Sequence, residues 1–237
     1  MNLASNNVFN DIKKNRIFLQ ENIYLYFLPY GDSIRYVDSM REEIQDLYPE
    51  LVNLKEISKI QSKLDEFIIS RWLYKNVMQK EFNSTHLILK KHQDSSIEFP
   101  SSFKISLSHK RGDVLLGVSS VYKGIGVDIE RRVKLDLMDK ILTEKEYYFL
   151  DMTEMSQESI LGLIFSFKES IFKAVYPSIK KMFYFKDARI TKIDFESNKI
   201  EAELLFDHPN LESRNVYGKF HIVDRISHVD IITCAWI

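Results

Sequence analysis

The stretch 156–176 constrains the fold most. Ile160, Leu163, Ile164, Phe167, Ile171 and Val175 recur there at three- and four-residue steps, and Pro177 follows. The spacing predicts an amphipathic helix that the proline stops, with one apolar stripe that another element must cover. The runs 188–195, 199–206, 216–223 and 229–236 then carry strand signals, with Ser197-Asn198 as the tightest turn between them. A helix stripe laid on half-buried strands is an α+β arrangement.

The first half mixes the same elements. Residues 23–28 read as a strand, and 33–48 and 54–80 as helices. In the second of these, Ile57, Ile60, Leu64, Phe67, Ile68, Trp72 and Met78 mark a core face. A polar stretch, 90–102, contains Pro100 and leads to a run where Phe103, Ile105 and Leu107 alternate with Lys104, Ser106 and Ser108. That alternation predicts a strand. A polar turn at 109–113 follows, then two strand-like runs, 114–121 and 124–130, which the short turn Tyr122-Lys123 separates as in a hairpin. Thr143 and Glu146 have the spacing of a capping box that opens a short helix to about residue 152. The 237 residues suit one large domain or two packed halves of about 120 residues, and a split near 121 gives domains 1–121 and 122–237.

Composition removes several functions. Lys+Arg (33) and Asp+Glu (34) nearly cancel, which leaves no electrostatic footprint for a nucleic-acid backbone. The single cysteine, Cys234, excludes a disulfide framework and a multi-cysteine zinc site. No apolar run reaches the roughly 20 residues that span a bilayer, and the first ten residues lack the layout of a signal peptide, so no transmembrane segment and a cytoplasmic location are expected.

Three groups of residues could carry chemistry. In Ile125-Gly126-Val127-Asp128-Ile129-Glu130, alternation sends Ile125, Val127 and Ile129 to a core face and Asp128 and Glu130 together to the other. Adjacent carboxylates repel, and either solvent at a strand edge or a hard divalent cation relieves them. On the 156–176 helix, Lys168, Glu169 and Lys173 surround Phe167 and Ile171. Glu169 and Lys173, four apart, suit a surface ion pair; equally, Glu169 as a third carboxylate would complete a Mg²⁺ site while the lysines bind phosphate. Ser106-Leu107-Ser108-His109 with Lys110 and Arg111 could hold an anion or simply solvate a turn. No G-x-S-x-G, HExxH or dinucleotide fingerprint accompanies them.

Taken in order, the runs ISLSH (105–109), IGVDIE (125–130) and FSFKESIFKA (165–174) resemble the 4′-phosphopantetheinyl transferases. The resemblance is to the monomeric, double-length type that serves siderophore (enterobactin-like) and other nonribosomal peptide synthetases, and it spans roughly residues 64–176 together with the closing run 231–236. It implies two similar helix-backed antiparallel-sheet halves related by a pseudo-twofold axis, with the active site in the cleft between them. It implies transfer of 4′-phosphopantetheine from coenzyme A to a serine of an apo acyl or peptidyl carrier protein, with release of 3′,5′-ADP. Asp128, Glu130 and Glu169 would then hold Mg²⁺, or Mn²⁺ in its place. Ser108, His109 and Lys173 would contact the phosphates with Lys168 beside them, and Glu169 and Lys173 would be the catalytic pair. Glu66-Phe67-Ile68-Ile69-Ser70-Arg71 resembles the family's E-F-x-x-G-R, with Ser70 in the glycine's place, and puts Arg71 and Lys63 at the nucleotide end. Lys90 and Lys91 are candidates for further positive charge there, and Ile105 stands where siderophore-type members carry glycine. Another Mg²⁺-dependent phosphoryl transferase or hydrolase, or a non-catalytic carrier-protein binding module, uses the same residue types.

Overall fold

Strands and helices follow one another in blocks along the chain in a computed structural model that describes residues 16–49, 51, 61–91, 97–98, 100, 102–225 and 228–237. Strands β1 (Arg16–Gln20) and β2 (Ile23–Leu28) come first. Helical turns at Tyr30–Ser33 and Ile34–Tyr36 run into α1 (Val37–Ile44), and α2 (Gln61–Phe82) follows. Short strands β3 (Lys90–Lys91) and β4 (Ile97–Glu98) pair with each other. Then come β5 (Lys104–Lys110), β6 (Asp113–Ser119) and β7 (Ile125–Glu130). A 3₁₀ helix at Glu144–Asp151 precedes α3 (Gln157–Ile179), and β8 (Ala188–Asp194), β9 (Lys199–Leu204), β10 (Asn215–Asp224) and β11 (Val229–Trp236) complete the chain.

The chain divides into two compact units. One holds mainly Tyr24–Phe103 and Leu107–Leu116; the other holds Gly117–Ile237 with Leu19–Ile23 and Lys104–Ser106. A four-stranded sheet has the order β1-β2-β6-β5. In the first unit, Leu64, Ile68, Trp72 and Met78 are buried as the helical spacing predicts, while Ile57 and Ile60 lie outside the described residues. Glu43 of α1 ties the helices together by accepting from Trp72 Nε1 and Lys75 Nζ of α2. The β5–β6 turn is Arg111-Gly112, with φ of 51° and 93°. Two consecutive positive φ values in a two-residue loop make the tight hairpin that follows the natural strand twist.

In the second unit, a five-stranded antiparallel sheet has the order β7-β11-β10-β9-β8. The α3 stripe of Ile160, Leu163, Ile164, Phe167, Ile171 and Val175 packs on it with Ile190, Ile200, Val216, Phe220 and Ile231. Burial of such side chains stabilises by about 1.5–3 kcal/mol each. Ser156 caps the helix by accepting from Ser159 N.

Two expectations are corrected. Residues 114–121 and 124–130 do not form a hairpin: β6 belongs to the four-stranded sheet, whereas β7 pairs with β11 at the edge of the other. Nor does Pro177 stop α3, which continues to Ile179 and ends at Lys180 in the left-handed region, φ 51°. The missing proline N–H costs the last turn one hydrogen bond, to the Lys173 carbonyl, and the helix tolerates it.

Candidate active site

Asp128 and Glu130 share one face of β7 with Gly126, as strand alternation requires. That face is not solvated, contrary to the simplest reading of the sequence. It lies under α3, and a Cβ on Gly126 would come within 1.8 Å of the Ser170 carbonyl oxygen. Glycine therefore lets the helix settle on the strand, and Asp128 is left 5% exposed. Val127 on the opposite face is buried as well.

A buried carboxylate needs partners, and α3 provides them. Lys173 Nζ donates to Asp128 Oδ1 at 2.8 Å and to the Val127 carbonyl at 3.0 Å. Ser166 Oγ donates to Asp128 Oδ2 at 3.0 Å and lies 2.9 Å from Thr233 Oγ1, which in turn lies 2.7 Å from Ser170 Oγ. Thr233 stands opposite Asp128 in the β7–β11 register, so a polar chain joins the helix, the edge strand and its neighbour. The outer edge of β7 is tied as well, because the Val127 N–H donates to Ser106 Oγ at 3.0 Å.

Glu169 completes the group. Burial raises its pKa, the negative charge of Asp128 raises it further, Lys173 partly offsets this, and Glu130 adds to it. The carboxylates of Asp128, Glu130 and Glu169 thus feel one another around the Lys173 ammonium. The surface pair between Glu169 and Lys173 gives way to a different arrangement, in which Lys173 reaches Asp128. Among the described residues, no three His, Cys, Asp or Glu side chains are already gathered as a metal-holding group. An excess of hard oxygen donors, with a carboxylate that its anionic neighbours disfavour as an anion, nevertheless fits a divalent cation of the Mg²⁺ kind.

Lys168 stands apart from this group. It is 2% exposed, donates to Glu146 Oε2 and to the Ile141 carbonyl, both at 2.8 Å, and its pKa is lowered by burial against the opposing pull of Glu146. Glu146 is fully buried and also accepts from Thr143 N, Thr143 Oγ1 and Ile190 N. The capping-box glutamate thus binds α3, β8 and the 3₁₀ helix together. A pocket of about 230 Å³ has both Lys168 and Glu169 on its lining, with Phe172, Phe183, Tyr184 and Phe185.

The first unit gathers a separate set. Lys63, Glu66, Phe67, Ser70 and Arg71 follow helical spacing along one face of α2. The Arg71 guanidinium lies 3.9 Å from the Phe67 ring centroid and donates to Ser70 Oγ at 3.0 Å. Lys63 is exposed. At the end of β5, Ser108 is buried and His109 is half exposed, with Nδ1 3.1 Å from Glu66 Oε2. Lys90 and Lys91 lie on β3, and their side chains fall outside the described residues.

The sequence did not single out Ser166, Ser170 or Thr233, and it offered Ser106 for an anion rather than for the Val127 N–H that it accepts from. Ser166, Ser170 and Lys173, at i, i+4 and i+7, do trace a polar line along one side of the helix. No helix among the described residues is long and apolar enough to cross a membrane. No curated relative matches the chain. Residues 124–222, which carry Asp128, Glu130, Glu169 and Lys173, match the family model of the 4′-phosphopantetheinyl transferase superfamily (ACPS).

Proposed function

We propose that this protein transfers 4′-phosphopantetheine from coenzyme A to a serine hydroxyl of an apo carrier protein. The observation that carries the reading is the Asp128–Lys173 pair beside a Glu169 whose pKa is raised, inside the segment that the transferase family model matches.

In this reaction the serine oxygen bonds to the 4′-phosphate, the pyrophosphate bridge breaks, and 3′,5′-ADP leaves. Asp128, Glu130 and Glu169 are the residues that would hold Mg²⁺. When bound, the cation supplies charge neutralisation on the phosphate oxygens. Lys173 binds and neutralises the transferred phosphate. Glu169 accepts the serine proton. The aromatic pocket wall beside Glu169 gives the pantetheine arm an apolar surface to lie along. Lys63, Arg71, Ser108 and His109 are assigned to the phosphates of coenzyme A, with Lys90 and Lys91 as additional cations near the nucleotide. Lys168 is a core ion-pair residue in this account.

The double-length type that the ordered motifs resemble serves siderophore and other nonribosomal peptide synthetases. A peptidyl carrier domain is therefore the first acceptor to try. Chromatographic detection of 3′,5′-ADP, with and without apo-carrier protein, tests the reaction class. Release only with the carrier is expected; equal release without it would make the protein a hydrolase.

A further inference from the structure

Glu66 sits where α2 meets the β5–β6 hairpin. Its Oε1 accepts from the Gly112 N–H at 2.8 Å, and its Oε2 lies 3.1 Å from His109 Nδ1. The turn itself cannot shift easily: Gly112 has φ 93°, and a Cβ there would come within 2.3 Å of the Tyr30 ring. Tyr30 is fixed too, its N–H donating to Asp113 Oδ1 and its hydroxyl to Asp65 Oδ2, both at 2.8 Å. The carboxylate is therefore held by backbone on one oxygen and offers the other to the imidazole.

We propose that Glu66 is a positioning residue that orients His109 and keeps it protonated, so that the imidazolium presents Nε2–H to a phosphate of coenzyme A. The inference rests on the reading that His109 contacts those phosphates. Its chemistry is general: a carboxylate at Nδ1 fixes that nitrogen as a donor and favours the charged ring, and the second N–H then serves an anion. Glu66 also lies on the α2 face that carries Lys63 and Arg71. Its chain neighbours Lys110 and Arg111 oppose protonation, as do Lys63 and Arg71, which flank Glu66 on α2, and the Glu66 carboxylate at Nδ1 favours it. Tyr30 does not titrate in the working range, its hydroxyl being pushed up to about 12 by burial and then by Asp65 and Glu66.

The test is Glu66→Gln, an isostere that keeps an oxygen for the Gly112 N–H. NMR titration of the imidazole in ligand-free protein should show the His109 pKa falling by about one unit. The KM for coenzyme A should begin to climb at correspondingly lower pH, by up to about tenfold at pH 8, because one pKa unit is a tenfold change in imidazolium. Turnover at saturation should stay within about twofold. In a His109→Gln background, Glu66→Gln should change KM no further. An unchanged His109 pKa and an unchanged KM profile, in a variant that melts like the parent, would overturn the proposal. If the parent protein neither binds coenzyme A nor modifies a carrier, the functional reading fails instead, and the NMR arm still decides whether Glu66 tunes His109.

Discussion

Lys173 and Asp128 are joined across the interface of helix and edge strand, ammonium to carboxylate at 2.8 Å, with the lysine side chain 27% exposed and the aspartate 7%. The pair does two things: it offsets a buried negative charge, and it leaves a cation beside Glu169. Removing the lysine exposes the first role. Lys173→Met should destabilise the fold by about 2 kcal/mol, because it leaves a buried carboxylate short of its cation. Added Mg²⁺ should restore much of that loss if Asp128, Glu130 and Glu169 hold the ion. Thermal melts with and without Mg²⁺ measure both, and a variant whose melting ignores Mg²⁺ would count against the metal assignment.

Glu169 gives a pH prediction with a definite sign. Its folded pKa lies above the ordinary 4.5, first through burial and then through Asp128. A raised folded pKa means that the folded state binds the proton more tightly. The associated stability is fully present below the unfolded value and is lost as pH rises through the folded one. Once ionised, the side chain is thus a burden on the fold. Glu169→Gln should melt no lower than the parent at pH 7 and should flatten stability against pH above about 4.5. Transfer should fall at least about a hundredfold. A near-parental rate would leave the proton without its proposed acceptor.

The Glu146–Lys168 pair should behave as structure. Its side chains are 0% and 1% exposed, and breaking one partner of such a pair costs about 3–5 kcal/mol. Lys168→Met and Glu146→Gln should each lower the melting temperature strongly, and the double variant should lose less than the sum of the two. Wherever Lys168→Met still folds, its KM for coenzyme A should match the parent. A raised KM with an unchanged melt would return Lys168 to the phosphates.

Gly126→Ala tests the close approach of helix and strand. The added methyl meets the Ser170 carbonyl, so α3 must move away from Asp128. A loss of about 1–3 kcal/mol is expected, and the rate should fall with it, since Lys173 and Ser166 move with the helix. Parental stability and rate together would show that the spacing has slack.

Local patterns carried much of this into the sequence. The α3 stripe, the β2 limits and the alternation of β8 to β11 were legible because each depends on neighbours within a few residues. The β7 pairing was not, because its partner β11 lies about a hundred residues further along the chain and nothing near Tyr122-Lys123 reports it. The burial of Asp128 was hidden in Gly126, whose meaning depends on a helix arriving from elsewhere. Lys168 and Lys173 read alike in the motif; yet five residues on a helix turn the side chain by about 140°, enough to send one lysine to Glu146 and the other to Asp128.

Intact-mass measurement of an apo peptidyl carrier protein tests the central claim most directly. Incubated with this protein, Mg²⁺ and coenzyme A, the carrier should gain the mass of one phosphopantetheine, and a carrier whose acceptor serine is alanine should gain nothing. If a panel of apo acyl and peptidyl carriers all keep their mass while a known transferase modifies them in parallel, the account is wrong.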